Sequence, residues 1–338
     1  MKIAFVGKGG SGKTTLSALL CRHLADLGRP VLAVDADINQ HLGDALGLGD
    51  AAVPVPLGEH LGELKDYLRG DNPRISSADV MVKTTPPGTG SRLLTLAEDN
   101  PLWSRFGLDA GRVRLLATGA FTEADLGGTC FHSKTGAVEL LLLNHLVDSS
   151  GEYVVVDMTA GADAFASGCS RGSTTPSWSV SRPARGVSVY RQYRQYSADF
   201  EVRLSVLGNK VRGSDDVAFL RDAVGGDLLA CFTQSAPVRA LEQGRPFGIE
   251  DLEPENRSAL AAVQAAVDAT VRDWDRFVTQ MHAIHVRNAR AWANDATGVD
   301  LTDQIDPTFR YPTADTEAAV PPARTASADS QPVTALTA

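Results

Sequence analysis

Apolar residues along the first part of the chain occur in short runs that glycine-rich or charged segments separate. Residues 2–6 form one such run, and a glycine-rich segment and an apolar-periodic stretch over 16–27 follow it. The run at 31–34 is short and bounded by turn residues, which is typical of a buried parallel strand. This alternation of strand and helix predicts an α/β protein with a doubly wound, mostly parallel sheet.

The same pattern continues through the rest of the chain. Further strand-like runs lie at 113–117, 152–157, 202–207 and 228–232, and helical patterns cover 59–68, 137–146 and 186–200. Apolar residues at helical spacing then predict a helical segment over 256–296 that packs on the domain. From residue 297 the chain is rich in Pro, Ala, Thr and Asp. We therefore predict an α/β domain over 1–255, this helical segment, and a tail over 297–338 that is disordered from about 312.

One stretch, residues 168–186, departs from this pattern. A doubly wound sheet should place a helix and another apolar strand here, yet the stretch contains no leucine or isoleucine. One interpretation is a long mobile loop, which is unusual inside a compact domain. Another is a local frame shift, because codons for residues 169–185 can be chosen so that an alternate frame encodes the missing strand. The DNA sequence of this window decides between them, and without such a strand the sheet would have a weak internal position.

Composition narrows the functional classes. The chain has 338 residues, of which 43% are hydrophobic and 22% are charged, as in ordinary globular proteins. A net charge of −9 argues against non-specific binding to nucleic acid or to an anionic membrane. No apolar run approaches the ~18 residues of a membrane span, no signal peptide is visible, and the cysteines are scattered. We therefore expect a cytoplasmic protein with reduced thiols and with no nucleic-acid or membrane partner.

The glycine-rich segment fits the phosphate-loop pattern G-x-x-x-x-G-K-[ST], with the preceding strand and following helix that this pattern requires. Its residues are Gly7, Lys8, Gly9, Gly10, Ser11, Gly12, Lys13 and Thr14, and Thr15 follows. The N–H groups of such a loop and the helix N-terminus face an anion. We predict that Lys13 contacts the β- and γ-phosphates of a nucleotide and that Thr14 offers its hydroxyl to Mg²⁺. A chance glycine-rich turn is the alternative.

Acidic residues follow two of the predicted strands. Asp35 and Asp37 come after the second strand-like run, and Asp157 ends the fourth. Open α/β sheets bind ligands at the carboxyl ends of their strands, so we expect these carboxylates beside the phosphate loop. Asp157 is predicted to hold Mg²⁺, through water in part. Helix capping by Asp37 or Asn39 is a simpler interpretation, and it can coexist with a role at the nucleotide.

An ordinary phosphate loop does not need Lys8. With this lysine, the loop resembles the deviant Walker A motif, K-G-G-x-G-K-[ST], of the MinD/ParA/nitrogenase-iron-protein group of dimeric ATPases. The resemblance implies an ATP-sandwiched homodimer in which Lys8 reaches the partner's nucleotide, and a solvated loop lysine is the alternative. It also implies that Asp37 orients or deprotonates the attacking water and that Asp35 supports Mg²⁺ through water.

A second likeness to this group follows the strand-like run at 202–207. Asn209 and Lys210 resemble its base-recognition motif. An amide can both donate to and accept from the adenine edge, and a lysine stem can pack on the base or ribose. The alternative is a simple turn.

The segment 157–161 looks most like the CooC type of this group, the nickel-inserting accessory ATPases of carbon monoxide dehydrogenase. Those proteins carry a Cys-x-Cys pair that binds metal across the dimer, at about the place where this chain has Cys130 and His132. Cysteine and imidazole are good ligands of Ni²⁺ or Zn²⁺, and a two-fold axis would double two ligands to four. An inert thiol and a loop histidine with ordinary hydrogen bonds are the alternative.

The resemblance covers most of residues 1–250 and implies a Mg²⁺-dependent, ATP-hydrolysing dimeric switch that assists metal insertion into a client metallo-enzyme. One alternative is a positioning or partition ATPase like MinD or ParA, although the acidic, Pro- and Ala-rich tail differs from a basic membrane helix. The second alternative is an iron–sulfur-bearing, ATP-dependent reductase component, in which Cys130 and Cys169 would ligate a cluster across a dimer.

Overall fold

The computed structural model describes residues 1–49, 52–120, 131–160, 177–181, 183–198, 204–271 and 273–312. Its strands are β1 (Lys2–Val6), β2 (Val31–Ala36), β3 (Leu108–Ala110), β4 (Val113–Ala117), β5 (Tyr153–Met158), β6 (Ser177–Ser181), β7 (Leu204–Val211) and β8 (Leu228–Thr233). Within the described ranges they form one sheet in the order β3-β4-β2-β5-β1-β6-β7-β8. Every neighbouring pair is parallel except β3 and β4. The predicted α/β fold with a doubly wound, mostly parallel sheet is confirmed.

Helices follow most of the strands. They are α1 (Lys13–Asp26), α2 (Leu42–Leu46), α3 (Leu61–Arg69), α4 (Pro101–Phe106), α5 (Phe131–Gly136), α6 (Leu143–His145), α7 (Pro183–Ala198), α8 (Ser214–Val224), α9 (Ala236–Leu241), α10 (Pro254–Asp268), α11 (Trp274–Asn288) and α12 (Asn294–Thr297). Wider π-helical turns join α5 to α6 and α11 to α12. Among the described residues, none belongs to a helix with the length and apolar character that a membrane crossing requires.

The two faces of the sheet bury separate apolar layers. Along β1, Ala4 and Val6 belong to one layer, whereas Ile3 and Phe5 belong to the other. This alternation follows from the two-residue repeat of a strand, and strands that are buried on both faces consist largely of apolar residues. The leucines of α1 lie in the second layer together with Leu260 of α10, and each fully buried leucine contributes about 1.5–3 kcal/mol. The packing of α1 on the sheet holds the loop between β1 and α1 in place.

The C-terminal segment is helical and packs on the sheet domain, as the apolar spacing predicts. The chain also remains packed beyond residue 297, where its composition suggests the start of a tail. Leu301, Phe309 and Tyr311 are buried, and the two aromatic residues pack against α11. Residues 313–338, for which the sequence predicts disorder, lie outside the described residues.

Strand β6 lies inside the stretch 168–186, where the sequence suggests a break in the sheet. It pairs in parallel with β1 on one side and with β7 on the other, so the internal position of the sheet is occupied. A parallel ladder is built from backbone N–H and C=O groups, which a serine-rich segment also provides. Residues 161–176 and 182 lie outside the described residues, and the frame-shift hypothesis stays a prediction that the DNA sequence will test.

Candidate functional site

The turn between β1 and α1 is built around left-handed glycines. Gly10 and Gly12 have φ angles of 73° and 97°, a region that residues with a Cβ rarely adopt. The Ser11 N–H donates to the Lys8 carbonyl oxygen at 3.1 Å and closes the turn. The Ser11 hydroxyl oxygen is buried and has no hydrogen-bond partner among the described residues. The loop thus presents backbone and hydroxyl groups at a helix N-terminus, which suits an anion such as phosphate.

Asn209 lies against this loop. Its Nδ2 donates to the Ser11 carbonyl oxygen at 2.8 Å, and its side chain is buried. A Cβ added at Gly12 would lie 2.1 Å from Asn209 Nδ2. The next residue, Lys210, has a φ of 58°, and the register of β7 against β8 shifts between Asn209 and Val211. The structure therefore brings the predicted base-binding residues to the phosphate loop, and it adds a direct bond between Asn209 and the loop backbone.

A substitution at Gly12 tests this close approach. We expect Gly12→Ala to weaken nucleotide binding at least tenfold, because the new methyl group displaces the Asn209 amide and the left-handed backbone is strained. Isothermal titration calorimetry with ATP measures the affinity. Gly28→Ala is the matched control, since Gly28 also has a left-handed φ but no atom within 4 Å of the added Cβ. Equal affinity for both variants would contradict the role assigned to this contact.

Lys13 and Asp37 face each other beside the loop. The Lys13 side chain is buried, and its Nζ lies 3.9 Å from Asp37 Oδ2. The other carboxylate oxygen of Asp37 accepts the N–H of Asn39 at 3.1 Å and its Nδ2 at 3.0 Å. Asp37 therefore organises its own loop rather than capping α2, whose N-cap is His41. Lys8 is an exposed residue of the phosphate loop.

The predicted magnesium ligands also meet. Asp35 and Asp157 are register partners on β2 and β5, and the Thr14 hydroxyl donates to Asp157 Oδ2 at 2.6 Å. Ser17, which was not predicted from the sequence, lies one helical turn further along α1. Its hydroxyl donates to the Lys13 carbonyl oxygen at 2.9 Å and lies 3.5 Å from Asp157 Oδ1. Its spacing of three residues from Thr14 is the signal that could have found it.

Burial governs the charge state of these carboxyl groups. It raises the pKa of Asp157 to about 8, and repulsion from Asp35 adds to the shift, while the Thr14 hydroxyl and the Lys13 charge oppose it. Burial also raises the pKa of Asp35 to about 6, against the N–H groups of Leu42 and Asp37 that donate to it. A cation beside the two carboxylates would offset this cost. The oxygen donors are of the kind that Mg²⁺ prefers.

A cavity of about 180 Å³ opens next to Asn209 and Lys210. The other lining residues come from α1, from the end of β8 through α9, and from the first turn of α10. They are Thr15, Leu16, Leu19, Phe232, Thr233, Gln234, Ser235, Val238, Arg239, Glu242 and Asn256. Apolar walls combined with a few amide and hydroxyl groups are typical of a pocket for a flat polar ligand. Its position beside the phosphate loop suits the base and ribose of a nucleotide.

The predicted transition-metal ligands are not tested by the structure. Cys130 and Cys169 lie outside the described residues, and the side chain of His132 is likewise not described. Among the described residues, no group of three or more His, Cys, Asp or Glu side chains could hold a metal ion. Cys21 is buried in the core, where burial raises the pKa of its thiol, so it is an inert apolar residue. The Ni²⁺ or Zn²⁺ site stays a prediction.

The fold and the loop together define the class of protein. A parallel sheet whose first strand enters an anion-binding glycine loop, beside a buried lysine and strand-end carboxylates, is the architecture of phosphate-loop nucleotide-binding proteins. A family model described as "CbiA: CobQ/CobB/MinD/ParA nucleotide binding domain" matches residues 3–296, and the chain belongs to this family.

Individual relatives agree with this assignment. The chain is 26% identical over 271 residues to the carbon monoxide dehydrogenase accessory protein CooC of Rhodospirillum rubrum, which covers 79% of this chain and 96% of the relative. It is 26% identical over 230 residues to an uncharacterized ATP-binding protein of Methanocaldococcus jannaschii, covering 68% and 81%. The resemblance to a CooC-like ATPase of the MinD/ParA group is confirmed.

Solved structures support the fold. The MinD cell division protein of Aquifex aeolicus has a TM-score of 0.51 and 18% identity, and the match covers 80% of this chain and 98% of that one. A McdA variant of Cyanothece in complex with ATP has a TM-score of 0.51 and 13% identity, with coverage of 80% and 98%. At these identities the likeness concerns the fold alone.

Proposed function

We propose that this protein is a Mg²⁺-dependent ATPase that works as a dimeric switch and serves as an accessory factor for metal insertion into a metallo-enzyme. The ATPase part of this proposal rests on two contacts at the phosphate loop: Lys13 lies beside the Asp37 carboxylate, and the Thr14 hydroxyl donates to Asp157. The similarity to CooC over 96% of that protein supports the accessory role.

The residues divide the work of hydrolysis between them. Lys13 is the charge available to the β- and γ-phosphates, and an incoming triphosphate competes with Asp37 for its ammonium group. The released Asp37 carboxylate then orients water and accepts its proton as the water oxygen bonds to the γ-phosphorus, while the bond from that phosphorus to the bridging oxygen of ADP breaks. Thr14, Asp35 and Asp157 would hold Mg²⁺, which neutralises charge on the phosphates when bound.

Lys8 tests the dimeric part of the proposal. Lys8 is exposed on the loop, so we expect the Lys8→Ala monomer to bind ATP as the parent monomer does, because the lysine charge acts on the partner's nucleotide only within the dimer. We expect turnover to fall at least tenfold and ATP-dependent dimerisation to be lost. Size-exclusion chromatography with light scattering, with a non-hydrolysable ATP analogue, measures the dimer. A variant that dimerises and hydrolyses ATP like the parent would refute the action of Lys8 across an interface.

The metal-insertion part needs its own measurement. Elemental analysis of the purified protein with and without ATP reports whether Ni²⁺ or Zn²⁺ is bound, and the Cys130→Ala and His132→Ala variants test the predicted ligands. One metal ion per dimer that both variants remove is the expected result. Metal-free dimer under all conditions would leave ATP hydrolysis standing and exclude this metal role.

The chain shares the fold of MinD and McdA, so a positioning or partition function is the second candidate. Sedimentation with liposomes and with DNA in the presence of ATP separates the two. Binding to neither agrees with the accessory role, whereas ATP-dependent binding to either favours the second candidate. We expect no binding, because the net charge of −9 opposes both surfaces.

A further inference from the structure

Gln40 occupies an unusual backbone conformation near the proposed catalytic carboxylate. It lies three residues after Asp37 in the loop between β2 and α2, and its φ is 51°. A residue other than glycine, asparagine or aspartate adopts this left-handed region at a cost. Such strain persists where surrounding contacts over-determine the conformation, and it concentrates at functional sites.

The side-chain amide of Gln40 makes those contacts in two directions. Its Nε2 donates to the carbonyl oxygen of Asp37 and, at 3.4 Å, to that of Asp35. Its Oε1 accepts the N–H of Gly119 at 3.2 Å. Because the carbonyl groups can only accept and the N–H can only donate, these partners determine which end of the amide is oxygen. Gln40 therefore links the backbone at Asp35 and Asp37 to the backbone at Gly119 through both ends of its amide, and this link is called the bridge below.

The far end of this bridge is held firmly. The Thr118 carbonyl oxygen accepts the Gly58 N–H at 2.8 Å. At Gly119, a Cβ would lie only 2.7 Å from Pro56 Cβ, and φ is 107°. Close packing of this kind resists displacement. Gly119 is thus a fixed point to which the loop after β2 is tied.

We propose that Gln40 is a positioning residue that ties the backbone of Asp37 to Gly119 and so sets where the Asp37 carboxylate stands relative to the phosphate loop. This inference rests on the proposed ATPase function. Asn39 orients the carboxylate within its loop, whereas Gln40 fixes that loop against the segment that follows β4.

Two substitutions at Gln40 test the side-chain hydrogen bonds separately from the left-handed backbone conformation. Gln40→Gly accepts the left-handed φ and removes the amide. Gln40→Glu keeps an acceptor for the Gly119 N–H but replaces the donor with an oxygen. We expect both to lower kcat for ATP about tenfold and to leave KM within about twofold, because misplacing a reacting group slows the chemical step while the phosphate loop is unchanged. His41→Gly is the matched control, since His41 is exposed and its side chain makes no capping bond.

A second readout does not depend on turnover. Hydrogen–deuterium exchange of the peptide 113–120, resolved to the Gly119 amide, should be at least about tenfold faster in Gln40→Gly than in the parent and unchanged in His41→Gly. Unchanged exchange at Gly119, or a kcat equal to that of the parent, would overturn the proposal. If the parent protein does not hydrolyse ATP, the proposed function is wrong. The difference in Gly119 exchange between the parent and Gln40→Gly would then test the hydrogen-bonded bridge by itself.

Discussion

Replacement of Lys13 by alanine is expected to weaken ATP binding by at least about a hundredfold, which corresponds to about 2.7 kcal/mol. The ammonium group is buried between the loop and Asp37, where charge interactions are stronger than in water. We do not expect Lys8, the other lysine of the loop, to replace it, because Lys8 is exposed whereas Lys13 is buried. Calorimetric titration of the monomeric protein with ATP and Mg²⁺ measures the loss of affinity.

The two lysines of the loop serve as controls for each other. Lys8→Ala removes the same charge from the same loop, yet we expect it to retain the affinity of the parent. Circular dichroism and the thermal unfolding midpoint verify that Lys13→Ala is folded. Parental affinity in a folded Lys13→Ala protein would be incompatible with a phosphate site in this loop.

Asp37→Asn is expected to lower kcat by roughly a hundred- to a thousandfold, the usual contribution of a general base that positions a nucleophile. ATP affinity should stay the same or increase slightly, because the asparagine no longer competes with phosphate for Lys13, whose Nζ lies 3.9 Å from the carboxylate. Single-turnover hydrolysis and equilibrium binding of the same preparation separate the two effects. The opposite pattern, weaker binding with an unchanged rate, would show that Asp37 is only a structural residue.

Asp44→Asn is the matched control for this variant. Asp44 is an exposed residue of α2, seven positions further along the chain. The same loss of charge there should change neither the rate nor the affinity.

The order of strands and helices was predictable because a sheet buried on both faces requires short apolar runs, and β1, β2, β4 and β5 have them. The phosphate loop was predictable because its glycines, lysine and threonine are contiguous. The carboxylates of Asp35 and Asp157 could be placed together from strand ends alone, since parallel strands bring their carboxyl ends to one edge.

Other features depend on contacts between distant segments, which no local pattern contains. Strand β6 has a serine-rich sequence, and only its neighbours β1 and β7 show that it completes the sheet. Asn209 has the residue type expected for base recognition, but its bond to the Ser11 carbonyl required the fold. Gln40 carries no motif, and its significance follows from a φ angle and from a partner 79 residues away.

The position of β6 has a consequence for how the sheet holds a nucleotide. The strand leading into the glycine loop stands on one side of β6, and the strand carrying Asn209 stands on the other. A nucleotide that contacts both strands would link the two sides of the sheet across the serine-rich strand β6. We therefore expect a bound nucleotide to stabilise the sheet most at β6, between the two strands that it would contact.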